Sequence, residues 1–486
     1  MKKLNDILQG INVLTIQGNA DIEISELNFD SRKIQKNNLF IAVSGTTTDG
    51  HSFISKSIES GAIAIVCEQI PENIHNTVTY IQVENCSDVL GKIASNYFDN
   101  PSSKIQLVGI TGTNGKTTTA TLSYQLAKHL GYKCGLLSTV KNYIDNQAID
   151  ATHTTPDAIQ INFLLNEMVH AGCDYCFMEV SSHAIVQNRI SGLTFKGAVF
   201  TNITHDHLDY HKTFEEYLKA KKLFFDKLQA DAFALVNIDD RNGKIMMQNT
   251  SAKKLTYALM SLSDFRCRIT ESLFDGMQLQ FDGNDVWTRL IGTFNAYNLL
   301  AIYGTAILLG HNKNEVLQGL SKLTTVDGRF EYIRTKNDIT AIVDYAHTPD
   351  ALVNVLKTIN EIRNGQGRLF TVVGAGGNRD RTKRPVMGKV CSEMSDKVIL
   401  TSDNPRNEIP ENIIEEIFAG VEIHNKRKTI KITDRKEAII AACSMCERGD
   451  ILLVAGKGHE NYQEIKGEKH HFNDKEIIIN YFNELI

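Results

Sequence analysis

Residues 105–119 constrain this chain more than any other stretch. Ile105, Leu107, Val108 and Ile110 form an almost continuous apolar run with β-branched members, the pattern of a strand covered on both faces of a parallel sheet. Gly112 and Gly115 then let backbone amides approach a ligand closely, with Lys116 and Thr117 following at once. Leu122, Leu126 and Leu130 recur every fourth residue, so a helix follows, and Gly131 supplies a left-handed stop. Strand, glycine loop and helix start make an anion cradle in which amides hold phosphates, Lys116 neutralises them and the Thr117 hydroxyl ligates Mg²⁺. The spacing is Gly112-x-x-Gly115-Lys116-Thr117, and Ile110 stands where the longer phosphate loop has its first glycine. An ordinary glycine-rich turn is the bland alternative. No guanine-reading N-K-x-D is found, so ATP is expected over GTP.

A chain of 486 residues is long enough for about three domains. With 42% hydrophobic and 22% charged residues it is globular, and a net charge of -5 argues against a nucleic-acid binder relying on bulk positive charge. Small-molecule partners are expected, and a monomer. The stretch from Met1 to Gly10 lacks a signal-peptide core, and no run approaches the ~18 apolar residues of a membrane helix, so a cytoplasmic location without membrane insertion is expected. Nine scattered cysteines fit reduced thiols. The Cys173/Cys176 and Cys443/Cys446 pairs lie too far apart for an ordinary zinc ribbon and read as small core residues.

In the first hundred residues, Asp30-Ser31-Arg32-Lys33 precedes the apolar run Leu39 to Val43, which leads into Ser44-Gly45-Thr46-Thr47-Thr48. Such a loop hydrogen-bonds a sugar or pyrophosphate, or is a plain turn. Asn100-Pro101-Ser102-Ser103 reads as a linker. Further on, a second strand from Tyr175 ends at Glu179, a carboxylate for which Mg²⁺ beside the phosphate loop is the natural partner. A third, from Gly197, delivers His205, His207 and His211, which suit ion or phosphate contacts or plain surface polarity. Asn295 and Asn298 share one face of an apolar helix, able to read a base edge or to cap the helix.

The last third repeats one device. Four apolar strands end in polar clusters: Asp344 to His347, Gly374 to Asp380, Asp403 to Arg406, and Gly456 to Glu460. In a doubly wound parallel sheet these converge on one crevice. Arg379 and Arg406 with Asp403 and Glu460 suit a zwitterion, since guanidinium forks hold carboxylates and acids hold ammonium groups. The expected fold is α/β with three domains: a smaller N-terminal α/β domain over 1–103, a central P-loop ATPase-like parallel sheet over 104–333, and a Rossmann-like doubly wound sheet over 334–486.

With these residues together, the chain resembles the Mur ligases of bacterial cell-wall synthesis. The likeness is carried by Gly112-Thr113-Asn114-Gly115-Lys116-Thr117-Thr118, Glu179-Val180-Ser181-Ser182-His183, Asp206-His207-Leu208-Asp209, Asn295, Asp344-Tyr345-Ala346-His347 and Asp403-Asn404-Pro405-Arg406. It implies that ATP phosphorylates the D-glutamyl γ-carboxylate of UDP-N-acetylmuramoyl-L-Ala-D-Glu and that an amine of meso-diaminopimelate attacks the acyl phosphate. Lysine-adding relatives and folate-type ligases share that mechanism. A nucleotide-binding switch without ligation is the rival of another class.

The resemblance implies roles position by position. Gly112 to Thr118, Asn295, Arg329 and Asp344 contact ATP. Thr117, Glu179, His207 and a carbamylated Lys221 hold Mg²⁺, with Lys116, His207 and Lys221 in catalysis. Ser31 and Thr46, Thr47 and Thr48 bind the uridine nucleotide, and Thr154, Thr155, Ser181, Gln187 and Arg189 the muramoyl-dipeptide. Arg379, Asp403, Asn404, Pro405, Arg406, Gly456 and Glu460 take diaminopimelate, with Arg406 on its extra carboxylate. The chain departs from the family pattern at Ala375, Asn378 and Ile409, where Cys, Asp and Asp are more usual.

Overall fold

The computed structural model describes every residue except Thr46, Thr47, Thr152, His207, Lys336, Leu485 and Ile486, and no side chain of Leu208, Asp209 or Glu484. Three large sheets follow one another along the chain. The first has five strands, ordered Val13–Gln17, Thr79–Val83, Ala62–Cys67, Asn38–Ile41, Leu27–Asn28, with only the Val13 strand antiparallel. The eleven-stranded central sheet carries the phosphate-loop strand, Gln106–Thr111, between Tyr175–Glu179 and Gly197–Phe200, all parallel. The third, six-stranded, is parallel apart from its Glu331–Arg334 edge; it places Ile451–Ala455 between Thr340–Asp344 and Leu369–Val373. The α/β expectation holds.

The buried strands read as apolar runs because helices cover both faces. Val108 and Ile110 point into one core with Leu122 and Leu126 of the phosphate-loop helix, Lys116–His129, while Leu107 packs on the other side against Leu164 and Leu165. The third sheet likewise has a core on each face, one around Leu453 and Met387, the other around Leu452 and Ile439. All nine cysteines are free thiols and eight are buried, so the C-x-x-C pairs are packing residues.

Ends of parallel strands become a common edge because register is shared: Glu179 lies beside Ile110 and Phe200 beside Thr111. The first domain docks through Asn188, which donates to Asp88 at 2.6 Å, and through Gly91, where a Cβ would sit 2.2 Å from the Ser191 carbonyl oxygen. The last docks onto the phosphate loop, where Asp350 accepts from the Asn114 side chain at 2.9 Å and from the Thr204 hydroxyl at 3.3 Å.

A buried ion pair ties the terminal helix, Asp474–Glu484, to the third domain: Arg435 donates Nε and Nη2 to Asp474 at 2.8 and 2.7 Å, both side chains fully buried. Asp474→Ala would strand a buried guanidinium. It is expected to cost about 3–5 kcal/mol, read as a lowered urea midpoint; a loss under about 1 kcal/mol would contradict this.

Candidate functional site

The phosphate loop has its shape because two glycines are obligatory. At Gly112 (φ +153°) a Cβ would meet the Thr201 hydroxyl at 1.9 Å, and at Gly115 (φ +84°) the Asn298 carboxamide oxygen at 2.5 Å. The neighbouring strand end grips the loop: Thr201 Oγ1 donates to the Asn114 carbonyl at 2.6 Å and Asn202 Oδ1 accepts the Asn114 amide at 2.9 Å. Lys116 Nζ donates to the Gly112 and Thr113 carbonyls at 2.9 and 2.8 Å, and burial lowers its pKa. Thr117 donates to Glu179 Oε2 at 3.0 Å, while Thr139 N–H donates to Oε1 at 2.8 Å. Glu179 is fully buried. A buried carboxylate and a hydroxyl side by side are hard oxygen donors, the set that Mg²⁺ prefers.

Lys221 lies on the buried side of the Phe214–Asp226 helix, 1% exposed, donating Nζ to the Gly112 carbonyl at 2.8 Å and sitting 4.7 Å above the Tyr217 ring. Burial, then the Lys116 charge, push its pKa well below that of an ordinary lysine. His207 lies outside the described residues, as do Thr46 and Thr47.

These groups open into a crevice of about 800 Å³ between the central and third domains. Lys116, Thr117, Glu179 and Lys221 line it from one side; Arg379, Asp403, Asn404, Arg406, Gly456 and Glu460 line it from the other. Thr154, Thr155, Ser181 and Arg189 lie on the same wall, where Thr155 donates to the Glu179 carbonyl at 2.8 Å and Arg189 to the Thr155 carbonyl at 2.8 Å. Arg329 and Asp344 join the lining. Arg329 donates to Thr117 Oγ1 at 3.1 Å and stacks 4.5 Å over the Tyr345 ring. Asp344 accepts from the Phe330 and Ala346 amides at 2.6 and 2.8 Å, and burial raises its pKa to about 6.

Other expected residues stand back from the crevice. Asn295 donates to the Ile291 carbonyl at 2.8 Å and accepts from Asn298 at 3.2 Å; it is Asn298 that reaches the lining. Gln187 accepts from Arg189 Nη2 at 2.6 Å and so positions it. Ser31, capped by Asp30, and Thr48 belong to the first domain and lie outside this lining. The Thr48 loop is closed by Asp49, which accepts from Ser44 at 3.1 Å and pairs with His51 Nδ1 at 2.8 Å. His51, Glu68 and Cys86 bring ligand-type atoms within 4.8 Å of one another, yet both imidazole nitrogens are committed, Nε2 accepting the Glu68 amide at 2.9 Å.

Three titratable residues lie in or beside the crevice without an assigned role: Lys383 and His347 line it, and Lys457 sits behind Asn404 and Glu460. Lys383 begins the Lys383–Met394 helix and lines the crevice with its pKa lowered by burial; in sequence it reads as a surface lysine. His347, with Nδ1 on the Tyr345 carbonyl at 2.8 Å, has its pKa lowered to about 4 by burial and is neutral at pH 7. Lys457, fully buried, donates to Asn404 at 3.1 Å and Glu460 at 3.0 Å. The departure at Asn378 falls at φ +54°, a left-handed conformation asparagine tolerates well.

A phosphate cradle facing an arginine–carboxylate cluster across one crevice, on three α/β domains, defines a nucleotide-dependent ligase architecture. The chain belongs to the Mur ligase family: the middle domain matches residues 110–306, the glutamate ligase domain 328–458 and the family's catalytic domain 23–98. It is 56% identical over 481 residues to the UDP-N-acetylmuramoyl-L-alanyl-D-glutamate–2,6-diaminopimelate ligase of Bacteroides fragilis, covering 99% of each chain. It is 40% identical over 489 residues to a ligase of that name from Clostridium acetobutylicum, covering 99% of this chain and 100% of the other. A solved structure of such a ligase aligns over 100% of this chain and 99% of its own, with 31% identity and a TM-score of 0.70. A MurF ligase from Thermotoga maritima in complex with ADP shares the fold at 19% identity and a TM-score of 0.63, covering 94% of this chain and 97% of the other. No helix among the described residues is long and apolar enough to cross a membrane.

Proposed function

We propose that this chain joins an amine of meso-diaminopimelate to the D-glutamyl γ-carboxylate of UDP-N-acetylmuramoyl-L-Ala-D-Glu, converting ATP to ADP and phosphate, as a step of peptidoglycan precursor synthesis. The observation that carries the reading is the single crevice with Lys116, Thr117 and Glu179 on one wall and Arg379, Arg406 and Glu460 on the other. The γ-carboxylate oxygen attacks the γ-phosphorus and ADP leaves. The neutral amine then attacks the carbonyl carbon of the acyl phosphate, and collapse of the tetrahedral centre expels phosphate. Loop amides and Lys116 offset the charge that builds on the transferred phosphoryl group. Thr117 and Glu179 would hold Mg²⁺, joined by His207 and a Lys221 carbamate, and the ion would supply Lewis-acid neutralisation of phosphate oxygens. Thr154, Thr155, Ser181 and Arg189 orient the dipeptide end, and Ser31 with Thr46 to Thr48 the uridine end. Asp344 and Arg329 shape the nucleotide side.

On the acceptor side, Arg379 and Arg406 take carboxylates while Asp403 and Glu460 take ammonium. The test is ADP release with the UDP-dipeptide and each amino acid in turn. Diaminopimelate should support turnover and lysine should not; the reverse result would assign the chain to lysine addition. Arg406→Ala should raise the diaminopimelate KM roughly 30-fold, about 2 kcal/mol for a lost charge-assisted pair, with the ATP KM little changed. Equal loss toward both substrates would count against the assignment.

A further inference from the structure

The hairpin formed by Tyr462–Ile465 and Glu468–His471 stands beside the acceptor cluster. Its inner strand reaches Asp403, Asn404 and Arg406 in turn. Gln463 Nε2 donates to the Asp403 carbonyl at 2.6 Å, and the Glu464 amide donates to Asn404 Oδ1 at 2.9 Å. Arg406 N–H donates to the Glu464 carbonyl at 3.1 Å, and the Lys466 amide donates to the Arg406 carbonyl at 2.8 Å. These bonds hold Arg406 at φ +51°, a left-handed conformation that a non-glycine residue keeps only when its surroundings impose it.

The side chain is held as well. Arg406 Nε donates to Glu464 Oε2 at 3.2 Å, and Nη1 donates to the Gly377 carbonyl at 2.8 Å. A guanidinium has five N–H donors. With Nε and one Nη1 hydrogen committed, three donors are left, one on Nη1 and two on Nη2. Arg406 lines the crevice whereas Glu464 does not, so Glu464 meets the crevice contents through the guanidinium.

We infer that Glu464 is a positioning residue for the acceptor amino acid: it clamps the Arg406 guanidinium by its Nε edge so that the Nη edge is presented to a substrate carboxylate, and thereby sharpens discrimination against amino acids lacking that carboxylate. This rests on the assignment of Arg406 to the acceptor carboxylate. An unclamped arginine side chain samples several rotamers and must be ordered on binding, which weakens the substrate that depends on it. Lysine, with no second carboxylate, gains nothing from the clamp.

The experiment is steady-state kinetics on the full chain with Glu464→Ala, Glu464→Gln, Arg406→Ala and the double variant Arg406→Ala/Glu464→Ala. Glu464→Ala should raise the diaminopimelate KM roughly tenfold, with kcat and the ATP KM within about twofold. Glu464→Gln, whose amide oxygen still accepts the Nε hydrogen, should stay within about threefold of the parent. In the Arg406→Ala background, Glu464→Ala should add no further rise. An unchanged diaminopimelate KM in Glu464→Ala, an equal rise in the ATP KM, or full additivity in the double variant overturns the inference. If Arg406→Ala alone raises the diaminopimelate KM, the Arg406 assignment survives that failure. If neither single variant raises it, the assignment falls and the inference with it.

Discussion

Lys221→Ala is expected to lower kcat by a factor on the order of 10²–10³, the loss typical of removing one preorganised electrostatic group, and acetate or formate is expected to restore part of it. The reason begins with burial. At 1% exposure, with Lys116 close by, the Lys221 amine is held neutral far more readily than a surface lysine. A neutral amine adds to CO₂, its nitrogen lone pair forming the N–C bond and one proton leaving, and the cation is replaced by an anion. The carbamate nitrogen keeps one hydrogen, so the bond to the Gly112 carbonyl, 2.8 Å in the amine form, is retained. The new carboxylate would face the Thr117–Glu179 wall. Alanine removes the anion and leaves a space that a small carboxylate fills. The checks are ADP release with and without acetate, and the rate in bicarbonate-depleted buffer, which should fall for the parent and stay flat for the variant. A variant keeping more than about a tenth of parental activity, or a parent indifferent to bicarbonate, would remove Lys221 from this role.

Lys116→Met should be costlier still, with kcat/KM reduced by on the order of 10³ or more, because Lys116 is the phosphate loop's own cation and bridges both the Gly112 and Thr113 carbonyls. Methionine keeps most of the buried volume, so the melting temperature should move little and a catalytic loss cannot be blamed on unfolding. Burial depresses the Lys116 pKa, and bound phosphates favour the charged form. The sign follows: ATP binding takes up a proton as pH rises past the depressed pKa, so affinity falls with rising pH in that range. Calorimetry in buffers of different ionisation enthalpy should record that uptake in the parent and lose it in Lys116→Met. Identical proton uptake in both would place the titration elsewhere.

How far the sequence was readable varies residue by residue. The apolar run ending in Gly112-x-x-Gly115-Lys116 announced a strand, a tight turn and a helix, and the structure places that strand at Gln106–Thr111 and that helix at Lys116–His129. The four polar strand ends of the last third were legible because parallel strands share one carboxyl edge, and they do meet at one crevice. Asn295 was less so. Two carboxamides three residues apart look alike in sequence, and only packing shows that Asn295 turns to Ile291 while Asn298 faces the loop. Lys383 and Glu464 carry no sequence signal, since a charged residue in a helix or hairpin ordinarily faces water, and Lys457, within the Gly456 to Glu460 cluster, shows its burial only in the fold.

Local patterns settled the secondary structure around the phosphate loop and the α/β class, because periodicity and glycine placement act within a few residues and need no knowledge of distant chain. Which side chains are buried, which carboxylate faces which cation, and that Glu464 lies behind Arg406 were decided by tertiary contacts between segments as much as 236 residues apart, as Asn114 and Asp350 are. Burial and ion pairing depend on what the rest of the chain brings near a group, and desolvation, which holds Lys221 and His347 away from their ordinary protonation, exists only once the chain has folded around them.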